Sequence, residues 1–250
     1  MKKFILGMAV SLALLQYGCY DDNQGLGDET YPVKISLTHR SGAELLQLGK
    51  EITNPHGEPL SITTFAYYIS HFALTDASGT KVVLPVSYYF VDEKSSTTKT
   101  ITFEAPAGTY QSLELLIGVD STRNVSGVQS GALDPANGMF WSWNTGYIFA
   151  KMEGKSPLST APLQNVTYHI GGFKQAESAL QTVTLPFPQP LRVQAAGVAT
   201  IEMEANTLAW FQGASNVKIA EHAFTMTPGP LAQRIASNYA RMFSVTAIKN

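Results

Sequence analysis

The residues best suited to chemistry beyond packing are five histidines, three tryptophans and one cysteine in a chain of 250. Imidazole nitrogens suit copper, zinc, iron and nickel, with selectivity set by geometry and companion ligands. No two histidines stand at HxH or HxxxH spacing, so a metal site has to be assembled from separate segments. His39 closes a run in which Val33, Ile35 and Leu37 alternate with polar residues, which aims its ring at the core side of a strand rim. His169 stands just before Ile170-Gly171-Gly172, where missing side chains allow close backbone approach. Each reads either as a metal ligand or as a hydrogen-bonded rim residue. His56, in Asn54-Pro55-His56-Gly57, reads as a solvated turn residue, and His71, near Tyr67, Ile69 and Ala73, as a hydrogen-bonded rim residue. His222 carries no assignment.

Trp141 and Trp143 stand two apart in GMFWSWNTGY, the spacing at which strand residues share a face. With Met139 and Tyr147 at the same parity they would form one aromatic stripe, either buried in a core or used as a site. Asp120, Asn124 and Ser126 supply hard oxygens, but not at EF-hand spacing, and read better as a network that steadies a loop. Nucleophile-elbow, HExxH, Walker and dinucleotide-binding signatures are missing from the sequence. Glu202 and Glu204 read as outward positions of one strand. No catalytic residue is assigned, and the expectation is a protein that is not an enzyme.

The N-terminus bears on where this chemistry would happen. Lys2 and Lys3 precede an apolar run, Phe4 to Leu15, too short to span a bilayer, and Gly18-Cys19 follows at cleavage distance. A lone cysteine cannot pair within the chain, so Cys19 is expected to become a lipidated N-terminus after a signal peptide of residues 1–18. The acidic stretch from Tyr20 to Thr30 reads as part of a flexible tether over 19–31. The formal net charge is −2 and no basic run stands out, so nucleic acid is not an expected partner and the membrane is reached only through the lipid.

The remaining 32–250 must position these residues. With 14% charged residues, 44% hydrophobic residues and Gly/Pro punctuation, it reads as one all-β domain, an antiparallel two-sheet sandwich. Period-2 alternation marks strands at Val33–His39, Leu113–Val119 and Val183–Phe187, with others near Ile62–Leu74, Val82–Val91, Thr100–Glu104, Met139–Met152, Val166–Ile170 and Val198–Ala205. Leu231, Ile235, Tyr239 and Met242 or Phe243 recur at the helical period behind Pro230, predicting a C-terminal amphipathic helix from Leu231 to Phe243. A short helix is expected over Leu208–Phe211. The segment Ser121–Asn137 is long for a loop, and such loops often carry function.

Several blocks occurring in one order, ISLTHRSG, LLQLGKEITNPHGEPLSITTFAYYISHFAL, PAGTYQSLELLIGVDSTRNVSG, GALDPANGMFWSWNTGYIFAKMEG, YHIGGFK and NYARMFSV, resemble the MbnP-like family of exported copper-binding proteins. The resemblance implies an extracytoplasmic copper site built from histidines, with a tryptophan oxidised to kynurenine by a dihaem partner of the MauG type. Ring opening would give an aromatic amine, a nitrogen ligand that the donor-only indole cannot supply. On matching positions it implies His39 and His169 as copper ligands, with Trp141 or Trp143 oxidised or packed around the metal. Because each histidine also closes a strand beside glycines, the two rings are expected to converge at one end of the sandwich. Since a ligating imidazole needs its other nitrogen oriented, a second shell is expected from backbone groups of the Ser121–Asn137 segment. The protein would be lipid-anchored in a bacterial cell envelope, periplasmic or surface-facing. Two other readings stay open: a glycan- or ligand-binding module stacking on Trp141, Trp143, Tyr147 and Tyr168, and a structural envelope lipoprotein without metal.

Overall fold

The structure is a computed structural model and describes residues 29–127, 129–141 and 146–250. The leader, Cys19, the tether up to residue 28 and Trp143 lie outside the described residues. In chain order the strands are β1 (Thr30–Ser41), β2 (Glu44–Leu45), β3 (Glu51–Thr53), β4 (Pro59–Asp76), β5 (Lys81–Val83), β6 (Tyr88–Asp92), β7 (Thr100–Pro106), β8 (Gly108–Ile117), β9 (Phe140–Trp141), β10 (Gly146–Lys155), β11 (Asn165–Gly171), β12 (Gln181–Val193), β13 (Ala199–Asn206), β14 (Phe224–Thr225) and β15 (Phe243–Lys249). Among the described residues two α-helices accompany them, α1 (Ser121–Val125) and α2 (Pro230–Tyr239).

The strands form an all-β sandwich. The smaller sheet runs β15-β13-β1-β2 with β7 also on β1, and the larger runs β12-β8-β4-β10-β11-β14, with β3, β5 and β6 on β4 and β9 on β10. Alternation explains the packing. Val33, Ile35, Leu37 and His39 of β1 point inward, as do Leu113, Leu115 and Ile117 of β8, so the two inner faces meet over a shared apolar layer. Phe72 of β4 meets Phe103 of β7 at 5.2 Å, and Tyr67 of β4 meets Phe243 of β15 at 5.3 Å between ring centres. The sheets are also joined along one edge, where Gln189 of β12 donates to the carbonyl of Ile248 in β15.

Pairing is mostly antiparallel, as the alternation leads one to expect, but β1 pairs β13 in parallel, and β11 pairs β14 in parallel. The C-terminal helix stops at Tyr239, before Met242 and Phe243. Phe243 instead opens β15, because its ring is held in the core against Tyr67 and its backbone pairs with Ala205. The stretch expected as one strand over Val82–Val91 divides around Pro85, whose ring nitrogen has no hydrogen to donate to a ladder. The β9–β10 pairing divides the expected aromatic stripe, setting Trp141 opposite Gly146 and Phe140 opposite Tyr147. Tyr147 therefore meets Phe140, ring to ring at 5.1 Å, and is not a continuation of the Trp141 face.

Candidate metal centre

His39 faces the inside of the sandwich. Register places it opposite Ala205 on β13, and its ring stands edge-on to Phe65 at 5.0 Å and to Tyr67 at 5.5 Å. Both ring nitrogens are engaged: Nδ1 with Glu93 Oε2 at 2.7 Å and Nε2 with the Tyr67 hydroxyl at 2.8 Å. Lys99 donates to the same Glu93 oxygen at 2.9 Å. Burial pushes the Glu93 carboxyl up, but the bonds from His39 and Lys99 outweigh it and hold the group below the usual carboxylate range. This is a closed polar network inside the core, with no histidine nitrogen left over for a metal.

His169 faces the other way. Phe65 pairs with Met152 and Met152 with Tyr168, so these share the inner face, and His169, one residue on, projects outward. Contacts agree. His169 Nε2 meets Glu153 Oε1 at 2.7 Å, and Glu153 also binds Thr64, whose β4 position is opposite it. The bond from His169 is the main cause that brings the Glu153 carboxyl down to about 2. A carboxylate can only accept, so Nε2 carries the proton and the lone pair of the neutral ring lies on Nδ1. Nδ1 is buried with no hydrogen-bond partner. A histidine clamped through one nitrogen by a carboxylate, with the other nitrogen's lone pair unclaimed, is the arrangement found around metal-ligating imidazoles.

Trp141, only 3% exposed, packs against the end of the same strand. A Cβ on Gly171, two residues after His169, would fall 2.8 Å from Trp141 Cη2 and Cζ3 and 2.6 Å from the Tyr147 carbonyl oxygen. The benzo ring of the indole thus rests on the Gly171 backbone, and only glycine admits it. A cavity of about 510 Å³ opens next to it, lined by Trp141, Tyr147, Phe173, Lys174, Glu177 and Pro228 among others.

The two histidines expected to converge are therefore separated by the larger sheet. The alternation of each strand was visible in the sequence, but the relation between the faces comes from long-range register. The partners that orient them are the carboxylates Glu93 and Glu153 and not the Ser121–Asn137 backbone. Glu153 and Lys151 alternate with Met152, which marks their common face, yet nothing local pairs them with His169. Trp141, Tyr147 and Tyr168 are all buried, so among the described residues the stacking platform for a glycan is not a surface. Among the described residues no three His, Cys, Asp or Glu side chains gather as a metal-binding group. What the structure shows is one oriented imidazole on the strand whose Gly171 carries the Trp141 indole.

The remaining histidines have other duties. His56 is less solvated than its turn suggests, because its Nε2 bonds the Phe211 carbonyl at 2.9 Å. His71 is the half-buried, hydrogen-bonded rim residue expected, with Nδ1 on Ser70 Oγ at 2.9 Å and Nε2 3.6 Å from Asp120. It adopts φ 53°, uncommon for a residue with a Cβ, where the β4–β8 register slips. Asp120 caps α1 through the Arg123 N–H, and Asn124 bonds the Val119 carbonyl and the Tyr147 N–H, the loop-steadying network that was expected.

A family model described as MbnP matches residues 30–228. The chain belongs to the MbnP family. Among solved structures it is similar to MbnP from Methylosinus trichosporium, at a TM-score of 0.51 and 15% identity over 76% of this chain and 83% of that one. At that identity the likeness speaks for the fold. No curated protein matches. Membership associates the chain with copper, and the family's match spans β1 through β14, including both histidines and Trp141.

Proposed function

We propose that this protein binds copper outside the cytoplasm, on the outer face of the larger sheet, through His169. The observation that carries the reading is the Nδ1 of His169, buried and without a hydrogen-bond partner, while Glu153 fixes the other nitrogen. Family membership makes copper the metal of choice, and imidazole is a good copper donor. Trp141, pressed on Gly171 of the same strand, is the aromatic group placed to complete such a site. As an indole it brings only an N–H donor; oxidised to kynurenine by a dihaem partner, it would bring an aromatic amine. His39 takes no part in this reading. On this reading the protein holds copper and is not an enzyme.

The site would be carried on a lipoprotein. A cleaved leader and lipidated Cys19 anchor the domain to the cell envelope, with the acidic stretch after Cys19 as its tether. Changing Cys19 to Ala is expected to release the folded protein from membranes, and retention would defeat the anchoring.

Metal analysis and intact mass of protein purified from its native host test the copper reading. The expected result is bound copper in the wild type, lost in His169→Ala and kept in His39→Ala where that variant stays folded. A mass gain matching one tryptophan converted to kynurenine, absent in Trp141→Phe, is expected alongside. Full copper occupancy in folded His169→Ala overturns the site.

A further inference from the structure

The buried base that copper binding leaves unused is His39. Tyr67, His39 and Glu93 form a chain in which each proton has an assigned place. Glu93, held as a carboxylate by His39 and Lys99, can only accept, so His39 Nδ1 carries the proton and donates to it. Nε2 of the neutral ring then carries the lone pair, and the Tyr67 hydroxyl donates to it at 2.8 Å. Tyr67 is sealed from solvent, whereas the Glu93 and Lys99 side chains are 14% and 24% exposed. The chain runs from the centre of the core to its edge.

The aromatic surroundings single out Tyr67. Tyr67 contacts Phe65 at 5.5 Å, Phe65 contacts Trp210 at 5.9 Å, and Trp210 contacts Tyr239 at 5.1 Å between ring centres. Three of these four rings are readily oxidised. Tyr239 donates to the carbonyl of Ala179, a poor proton acceptor, and the Trp210 N–H is buried without a hydrogen-bond partner. Losing an electron alone would leave a positive charge in a low-dielectric interior, which is costly. At Tyr67 alone in this run can the proton leave with the electron, because only Tyr67 is hydrogen-bonded to a base.

We propose that Tyr67, His39 and Glu93 form a proton-coupled redox site at which an oxidising equivalent reaching the aromatic core settles as a neutral tyrosyl radical. A strong one-electron oxidant, in the cell a peroxide-derived radical, takes one electron from Tyr67 and is itself reduced by one. The phenolic O–H bond breaks, and its proton forms the Nε2–H bond of His39. A neutral tyrosyl radical is left beside an imidazolium that the Glu93 carboxylate stabilises. A one-electron reductant, in the cell a thiolate that becomes a thiyl radical, returns the electron, and with the proton moving back from His39 the starting state is restored. This inference does not rest on the copper reading, since it uses neither His169 nor a metal.

The test is flash oxidation of the metal-free full chain by photogenerated ruthenium(III) tris-bipyridine with persulfate as sacrificial acceptor, followed by freeze-quench EPR. A tyrosyl signal is expected in the wild type, with its formation slowed in D2O, and the signal is expected to fall in Tyr67→Phe, which keeps the ring, to what Tyr31 and Tyr88, bonded to Glu29 and Asp120, supply. His39→Gln, which retains polarity without a comparable base, is expected to lower it by as much, while His169→Ala leaves it unchanged. An undiminished signal in folded Tyr67→Phe overturns the proposal. So does a wild-type signal formed at the same rate in D2O, a result that needs no variant to fold.

Discussion

His39 and His169 sit on opposite faces of the larger sheet, His39 against the inward rings of Phe65 and Tyr67 and His169 bonded to the outward carboxylate of Glu153. Each has a carboxylate at 2.7 Å, yet the outcomes differ. The second nitrogen of His39 is claimed by Tyr67, which closes the network, and that of His169 is claimed by nothing. One histidine has both nitrogens committed to the core network, and the other keeps a buried nitrogen without a hydrogen-bond partner.

Removal of the Tyr67 hydroxyl isolates the stability contribution of the closed network. Tyr67→Phe keeps the ring contacts and leaves His39 Nε2 buried without a donor, which costs about 1–3 kcal/mol. Urea unfolding of wild type and variant measures it. A loss near zero would show that the Tyr67–His39 bond adds no net stability.

Gly171 tests how tightly Trp141 is seated. A methyl there collides with the Tyr147 carbonyl and the indole ring, so Gly171→Ala has to move strand or ring. Overpacking of this sort costs about 1–3 kcal/mol. Near-ultraviolet circular dichroism is expected to change with the melting temperature, and an unaltered spectrum would mean that Trp141 is not held against this backbone.

Much of the architecture was legible because burial follows period. In β1 the alternating residues Val33 to His39 are the buried ones, and the same holds for Leu113 to Ile117 in β8. Where one pattern fits two structures, the sequence is ambiguous. Met242 and Phe243 satisfy the helical spacing from Tyr239, but Phe243 is taken by β15, whose pairing with β13 is a tertiary matter. Trp141 and Tyr147 have the same parity in the sequence, but the β9–β10 register sets Tyr147 opposite Phe140, not on Trp141's face. The site was half legible for the same reason. His169 and Trp141 could be chosen by type and spacing, while Glu153, Glu93 and the opposition of the two histidines depend on which strands lie side by side.

Tyr239 measures how far α2 belongs to the core. Its ring is fully buried against Trp210, and its hydroxyl reaches the Ala179 carbonyl. Tyr239→Ala is expected to cost about 3–5 kcal/mol, the range for deleting a large buried aromatic side chain. Chemical denaturation decides, and a loss under about 1 kcal/mol would mean that the core collapses readily into the space.

Glu58 makes the acid stability of one region predictable. Its carboxylate accepts the N–H groups of Ile219 at 2.7 Å and Ala220 at 3.0 Å and the Asn54 amide at 2.7 Å, tying the segment before β14 to the turn before β4. Burial pushes the group up, but the Ala220 and Ile219 N–H groups and Asn54 outweigh it and bring it below its ordinary 4.5. A carboxyl with a lower pKa folded than unfolded stabilises the fold above the unfolded value, and that contribution is lost as pH falls toward the folded value. Amide exchange at Ile219 and Ala220 is therefore expected to accelerate as pH drops below 4.5, after correction for intrinsic rates. Glu58→Gln, which cannot ionise, should show weakened protection already at neutral pH and a flatter dependence of melting temperature on acidity. Equal protection in variant and wild type at neutral pH would show that the charge on Glu58 does not hold this segment.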